Sequence, residues 1–254
     1  MNPIQRELLL FADGRELGQG CRMMLQSREN LTLTMSLFLL DILDLSDSSE
    51  ARLSSAKSVE VRSFGSVLGS GKILNVSTCR AKDRRITTVV FSPVLSLWKK
   101  TVSLSLPEGM LISDAMREIL KAGKTRVSLA AFHAEDRRMS RPQSFFGRVS
   151  DVLSDLAAAA GADVFLTPAG LCVRDRRPVR PTLTIPRSAL LSAPEQTEDL
   201  VILNTSVMGW PLGAWVQYVW EGTVRTGRLV SRLIDADNVT GPWKAELELE
   251  KPED

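Results

Sequence analysis

An α+β fold, mostly β, is predicted by three observations. Apolar-polar alternation fills the first hundred residues, two short helical patterns interrupt it, and alternation returns after a proline-rich stretch near residue 180. Residues Leu31, Leu33, Met35, Leu37 and Leu39 alternate with Thr32, Thr34, Ser36 and Phe38, a period of two that predicts a strand with one buried face. The polar stretch after Asp44 reads as a solvated turn leading to a strand at Val59–Arg62. Gly65 to Gly71 reads as a glycine-serine turn before a second alternating run from Lys72 to Cys79. Charged residues from Ala81 to Arg85 form a hairpin tip, because Ile86 to Phe91 returns as a β-branched strand.

The pattern changes after the strand Thr101–Leu106. Pro107, Glu108 and Gly109 turn the chain, Ser113 is a candidate cap, and Asp114 to Ala122 reads as a helix stopped by Gly123. A strand at Val127–Phe132, a polar loop from Ala134 to Gln143 and a helix from Val149 to Ala160 follow. Val164–Leu166 and Leu171–Val173 then mirror each other across a Thr167-Pro-Ala-Gly170 turn. Four prolines between Arg174 and Pro194 favour an extended linker and a domain boundary. The remainder reads as strands at Leu200–Val207, Ala214–Trp220, Arg228–Ile234 and Trp243–Glu250, with turns at Glu221-Gly222 and from Asp235 to Gly241.

Composition excludes several classes. With 44% hydrophobic residues in 254 the chain is expected to fold around a sizeable core. A formal net charge of +2 gives no global polybasic character, so neither nucleic acid nor an anionic membrane is the default partner. The most apolar stretch, Leu31 to Leu45, is interrupted by Thr32, Thr34, Ser36, Asp41 and Asp44, and no membrane span is expected. The amino terminus lacks the pattern of a secretory signal, so a soluble chain made in the cytoplasm is expected. Cys21, Cys79 and Cys172 are too few and too scattered for a disulfide framework or a zinc site.

Motifs of catalysis and cofactor binding fail in detail. Gly65-Ser-Val-Leu-Gly-Ser-Gly-Lys72 has its first glycine one residue too early for a phosphate-binding loop, lacks the following hydroxyl residue, and precedes a strand. His133 is the single histidine, which excludes multi-histidine metal sites. Asp41, Asp44, Asp47 and Glu50 have the spacing of a carboxylate cluster without the glycine of a calcium loop, and a solvated turn accounts for them. No catalytic residue, cofactor or metal ligand is therefore assigned, and a non-enzymatic role is expected. Basic clusters at Lys82–Arg85, Arg137–Arg141 and Arg174–Arg180 open the rival reading of a nucleic-acid-binding module, although few aromatics interleave them for base stacking. A hydrolase whose carboxylates are brought together only by the fold is the other rival.

The large aromatics are concentrated near the end. Trp210, Trp215, Tyr218, Trp220 and Trp243 are the candidate interface residues, since tryptophan is enriched at interface hot spots; a tryptophan-rich barrel core is the alternative.

The order β, α+β, β resembles the hub proteins of phage tail baseplates, including the late-control family. The likeness is carried by Gly65–Leu74, by Leu106–Leu120, by Phe146–Leu156 with the hairpin that follows to Val173, and by the closing segment Gly227–Leu249. The resemblance implies two small tube-like β-barrel domains, at 1–106 and 181–254, with an α/β domain at 107–180 inserted between them. The second barrel would complete or pair with the first. It further implies a homotrimer that joins the six-fold tail tube to a three-fold central spike or fibre and nucleates tube assembly. Its partners would be tail tube protein, spike or fibre protein and other baseplate or tail-tip proteins, in a virion tail assembled in the host cytoplasm. Two barrels per subunit, three times over, imitate a hexameric ring, which would match the two symmetries.

Overall fold

The computed structural model of the chain describes residues 6–167, 169–177, 181 and 183–252. Two compact units are present, one built from Met1–Glu29, Ser36–Pro93 and Val179–Asp254, the other from Asn30–Met35 and Val94–Pro178. Pro168 of the expected turn, and Pro178, Val179, Arg180 and Thr182 of the expected linker, lie outside the described residues.

The first unit begins with β1 (Leu9–Ala12), β2 (Arg15–Leu17), β3 (Met23–Asn30), β4 (Phe38–Leu43), α1 (Asp47–Ser55), β5 (Ser58–Ser63), β6 (Ser66–Ala81) and β7 (Arg84–Ser92). The second unit supplies α2 (Leu95–Trp98), β8 (Thr101–Leu106), α3 (Ile112–Ala122), β9 (Leu129–His133), β10 (Gln143–Arg148), α4 (Val149–Ala159), β11 (Ala162–Thr167) and β12 (Gly170–Asp175). The chain then returns to the first unit as β13 (Leu183–Ile185), β14 (Glu195–Gln196), β15 (Leu200–Thr205), β16 (Trp215–Trp220), β17 (Thr223–Asp237) and β18 (Trp243–Glu250).

Among the described residues, the strands of the first unit form one connected sheet of 13, with path β14-β15-β18-β17-β3-β4-β7-β6-β5-β1-β2 and with β16 and β13 branching from β17. The decisive junction is β17 beside β3, which hydrogen-bonds the late and early parts of the chain. One face of β3, β4 and β7 closes the core: Met23, Leu25, Phe38, Leu40, Ile42, Val89 and Phe91 are buried, and the Phe38 and Phe91 rings stack with centroids 4.9 Å apart. Each such side chain removed from water contributes about 1.5–3 kcal/mol.

The second unit is an α/β layer. Buried residues of α3 fall at Ile112, Ala115, Met116, Ile119 and Leu120, and those of α4 at Val149, Val152, Leu153, Leu156 and Ala157, each a helical stripe. They share a core with Val164, Leu171 and Val173 from the three-stranded sheet β11-β12-β9 and with Val102 and Leu106 from the β8-β10 ribbon.

Several local expectations are corrected. The strand expected at Leu31–Leu39 begins only at Phe38. Leu31 and Leu33 are buried, but Asn30–Met35 belongs to the second unit, where the Leu33 carbonyl accepts the Trp98 indole N–H at 3.2 Å. Alternation there records one-sided burial without a partner strand. The expected turn after Asp44 contains α1, capped by Ser46, whose hydroxyl accepts from the Ser49 amide at 3.3 Å; Leu53 is its one buried residue, so little periodicity marked it. In the loop placed from Ala134 to Gln143 nothing announced β10, which follows at once and pairs antiparallel with β8. Ser113 does not cap α3, because Leu111 holds that position and the Ser113 hydroxyl donates to Asp136 at 2.7 Å.

The glycine-serine turn shrinks to Phe64-Gly65, while Gly69 and Gly71 lie inside β6. Close packing explains them. A Cβ on Gly69 would stand 2.2 Å from the Phe38 ring, and one on Gly71 would stand 2.4 Å from the Ser92 backbone carbon. Gly71→Ala, which meets main chain, is expected to lower the free energy of unfolding by about 1–3 kcal/mol, read by urea denaturation. An unchanged midpoint would show that β6 and β7 separate easily.

Candidate functional site

The first unit is held shut by two arginine–carboxylate centres, Arg232 with Glu29 and Arg22 with Asp237. In β17, Arg232 occupies an inward position and is 6% exposed. Its Nε donates to Glu29 Oε2 at 3.0 Å, Nη1 donates to the carbonyls of Met208 at 3.1 Å and Trp210 at 3.0 Å, and Nη2 donates to the Leu68 carbonyl at 3.0 Å and again to Glu29. All five guanidinium N–H groups are thereby used. This one side chain ties β17 to β3, to β6 and to the segment 208–210.

The second centre lies at the β17–β18 turn. Arg22 Nη2 donates to Asp237 Oδ2 at 2.5 Å, and Asp237 Oδ1 accepts the amides of Val239 at 2.9 Å and Thr240 at 3.1 Å. Asn238 completes the clasp by accepting from the Met23 amide at 2.8 Å and donating to the Cys21 carbonyl at 3.1 Å. Burial works against the charged form of Asp237, but Arg22 and the two amides outweigh it and hold the carboxyl below its ordinary range.

The segment fixed by Arg232 forms one wall of a cavity of about 320 Å³. Leu68, Met208, Trp210 and Trp243 line it, with Phe64 and Val207 beside them at 56% and 45% exposure. Gly209 permits the close approach of this wall to β6, since a Cβ there would lie 3.0 Å from Ser66. Phe64 sits in the left-handed region at φ 46° ahead of Gly65 at φ 79°, a hairpin position that favours asparagine or glycine. Its amide donates to Glu7 Oε2 at 2.7 Å.

Trp210, Trp215, Tyr218 and Trp243 are buried within the first unit, and Trp220 is half-buried with Arg187 stacked 5.4 Å from its ring centre. Trp210 and Trp243 share the cavity, while Trp215, Tyr218 and Trp220 lie along β16. The indole N–H groups of Trp210 and Trp215 are buried without an acceptor.

The basic clusters are partly engaged. Arg85 is bound by Asp47 and Glu50, Arg137 pairs with Glu135 at 2.5 Å, and Arg177 pairs with Asp175 at 2.6 Å. Asp47 and Glu50 are thus ion-pair partners on α1, and Asp41 accepts from the Thr88 hydroxyl at 2.5 Å on β4. His133 is exposed at the end of β9. Among the described residues no three His, Cys, Asp or Glu side chains gather as a metal site, and no helix is long and apolar enough to cross a membrane.

No family model matches the chain, and no curated protein matches its sequence. Solved structures do. A tail protein from Neisseria meningitidis superposes with a TM-score of 0.71 at 14% identity, covering 97% of each chain. The chain has the fold of phage tail proteins. A 43 kDa tail protein of a Shewanella oneidensis prophage matches with TM-score 0.71 at 9% identity over 98% of this chain and 99% of its own. An Escherichia coli component of the type VI secretion system, described as structurally similar to bacteriophage T4 tail proteins, matches with TM-score 0.69 at 11% identity over 96% and 77%. The tail-hub resemblance seen in the sequence is thus met by a likeness of fold along nearly the whole chain.

Neither arginine centre nor Phe64 was singled out in the sequence, although each breaks a local rule. Arg232 is a charge on the apolar register of a strand, and Phe64 precedes a turn glycine. Arg232→Met is expected to leave Glu29 buried and uncompensated and to cost about 3–5 kcal/mol, with part of the loss recovered in the Glu29→Met double variant, both measured in urea. For Asp237, whose folded pKa is lowered, the stabilisation is present above the ordinary carboxylate value of about 4 and is lost as pH falls through the folded value. Asp237→Asn should therefore flatten the acid limb of the stability profile, and an acid limb identical to wild type would reject the assignment.

Proposed function

We propose that the chain is a non-catalytic structural protein of a tail tip, a hub that joins a six-fold tail tube to a three-fold spike or fibre and nucleates the tube. The observation that carries the reading is fold likeness along the full length, 97% of both chains for the Neisseria meningitidis tail protein. In this reading strands β1–β7 and β13–β18 serve as two tube-like β modules and 94–178 as the inserted α/β element. Three copies then present six such modules to the tube. The protein partners are a second and third copy of itself, tube protein, spike or fibre protein and neighbouring tail-tip proteins, and assembly takes place in the host cytoplasm before the protein resides in the virion tail. The reading calls for no cofactor, no membrane span and no specific nucleic acid.

The tryptophan set has a defined place in this proposal. Trp210, Trp215, Tyr218 and Trp243 stiffen the wall from within, and Trp220, the member that reaches the surface, contributes to the contact between copies.

Light scattering on the purified chain over a concentration series tests the reading. A trimer, or a monomer converted to a trimer by tube or spike protein, is expected. A monomer indifferent to both would overturn it. Trp220→Ala is expected to weaken self-association with little change in the thermal midpoint of the monomer.

A further inference from the structure

Two exposed aromatic residues break the rules that govern the rest of the surface. Phe64 holds φ 46° in a two-residue turn, where a bulky side chain is disfavoured, and yet is 56% exposed. A strained backbone whose side chain the described residues leave more than half exposed suggests a use at an interface. Phe64 stands at the lip of the 320 Å³ cavity, together with Val207, over a floor of Leu68, Met208, Trp210 and Trp243. An apolar hollow with an exposed apolar rim is the form of an anchor pocket at an interface.

Phe146 is the counterpart. On β10 it is 87% exposed, the most exposed large apolar side chain among the described residues, which leave it uncovered. Its cross-strand neighbour is Ser103, and Ser144 and Ser105 share a 2.7 Å hydroxyl contact beside it. With serines at 103, 105 and 144 beside it and the Arg148 guanidinium lying 4.6 Å over the Trp98 ring, the Phe146 ring stands clear as a knob. Of the other exposed large apolar side chains, Leu37, Leu191 and Met35 are 50%, 47% and 38% exposed and Val224 and Val239 are short, so Phe146 stands farthest clear of its own surface.

The geometry points to a knob-and-socket contact in which Phe146 of one copy enters the Phe64–Val207–Trp210 socket of a second copy. Charges agree. Arg148 is the next exposed residue on the strand face of Phe146, and Glu7 binds the Phe64 amide at the socket lip. Because knob and socket are different patches, the contact is heterologous, and the hub reading requires that it close into a ring. The inference rests on the self-assembling hub reading and gives that assembly its contact.

Three variants test it, each first checked for an intact thermal midpoint. Phe146→Ser removes the knob, and Val207→Arg obstructs the socket while opposing Arg148. Phe64→Asn suits the left-handed turn better and is expected to hold or raise the midpoint. Each is expected to weaken self-association about 30-fold, the loss of one hot-spot side chain. The decisive experiment mixes Phe146→Ser with Val207→Arg. One partner offers a socket and the other a knob, so a 1:1 heterodimer that grows no further is expected by light scattering. Wild-type association that survives in all three variants would overturn the knob-and-socket contact and leave the hub reading standing. Assembly lost in the single variants with no heterodimer in the mixture would also overturn the contact. A wild-type chain that stays monomeric at every concentration, alone and with tube or spike protein, would overturn both.

Discussion

The first unit depends on the satisfaction of one buried arginine. A guanidinium removed from water is costly unless every N–H finds an acceptor, and Arg232 finds them on three separate segments. Glu29 neutralises its charge, while the carbonyls of Leu68, Met208 and Trp210 are held to positions that suit a rigid planar fork. The same contacts set the depth of the cavity, because its wall at 208–210 is fixed to the same guanidinium that grips β6. The stability of the unit and the shape of the cavity wall therefore draw on one interaction.

Both arginine centres join residues more than 200 positions apart, Arg22 to Asp237 and Glu29 to Arg232. Between them in sequence lies the whole second unit, whose strands and helices are nearly all local to 94–178. Loop closure makes such long-range pairing late. The α/β unit can gather its core from neighbours in sequence, whereas the first unit has to wait for β17 before β3 gains its second partner. A sheet that completes only when its last strands arrive presents an unfinished edge at β3 until synthesis is nearly over.

What the sequence disclosed follows from this division. The helical stripes of α3 and α4, the β11–β12 hairpin and the ladder of β18 were legible, because each is specified by local periodicity and turn chemistry. Helix α1 was hidden by having a single buried leucine, and the segment Leu31–Leu37 was misread because alternation reports burial and cannot identify a partner. Glycines at 69 and 71 looked like a turn when they are points of close approach, a distinction that requires knowing Phe38 and Ser92 are opposite. The site was less legible than the fold. The tryptophans drew notice by their identity, whereas Arg232 and Phe64 matter through neighbours far away in sequence.

The ends of the long sheet bear on how copies meet. Its terminal strands are short and two of them are charged: β14 is Glu195–Gln196, β2 is Arg15–Leu17 with Arg15 and Glu16 exposed, and β13, at the end of the branch, is Leu183–Ile185. Such edges discourage strand addition, since two or three residues offer few backbone hydrogen bonds and their charges resist desolvation. An assembly built on this chain is then better served by side-chain contacts than by continuing the ladder. An anchor in a preformed hollow meets that need, because its energy comes from apolar burial concentrated in a few residues and its register from shape.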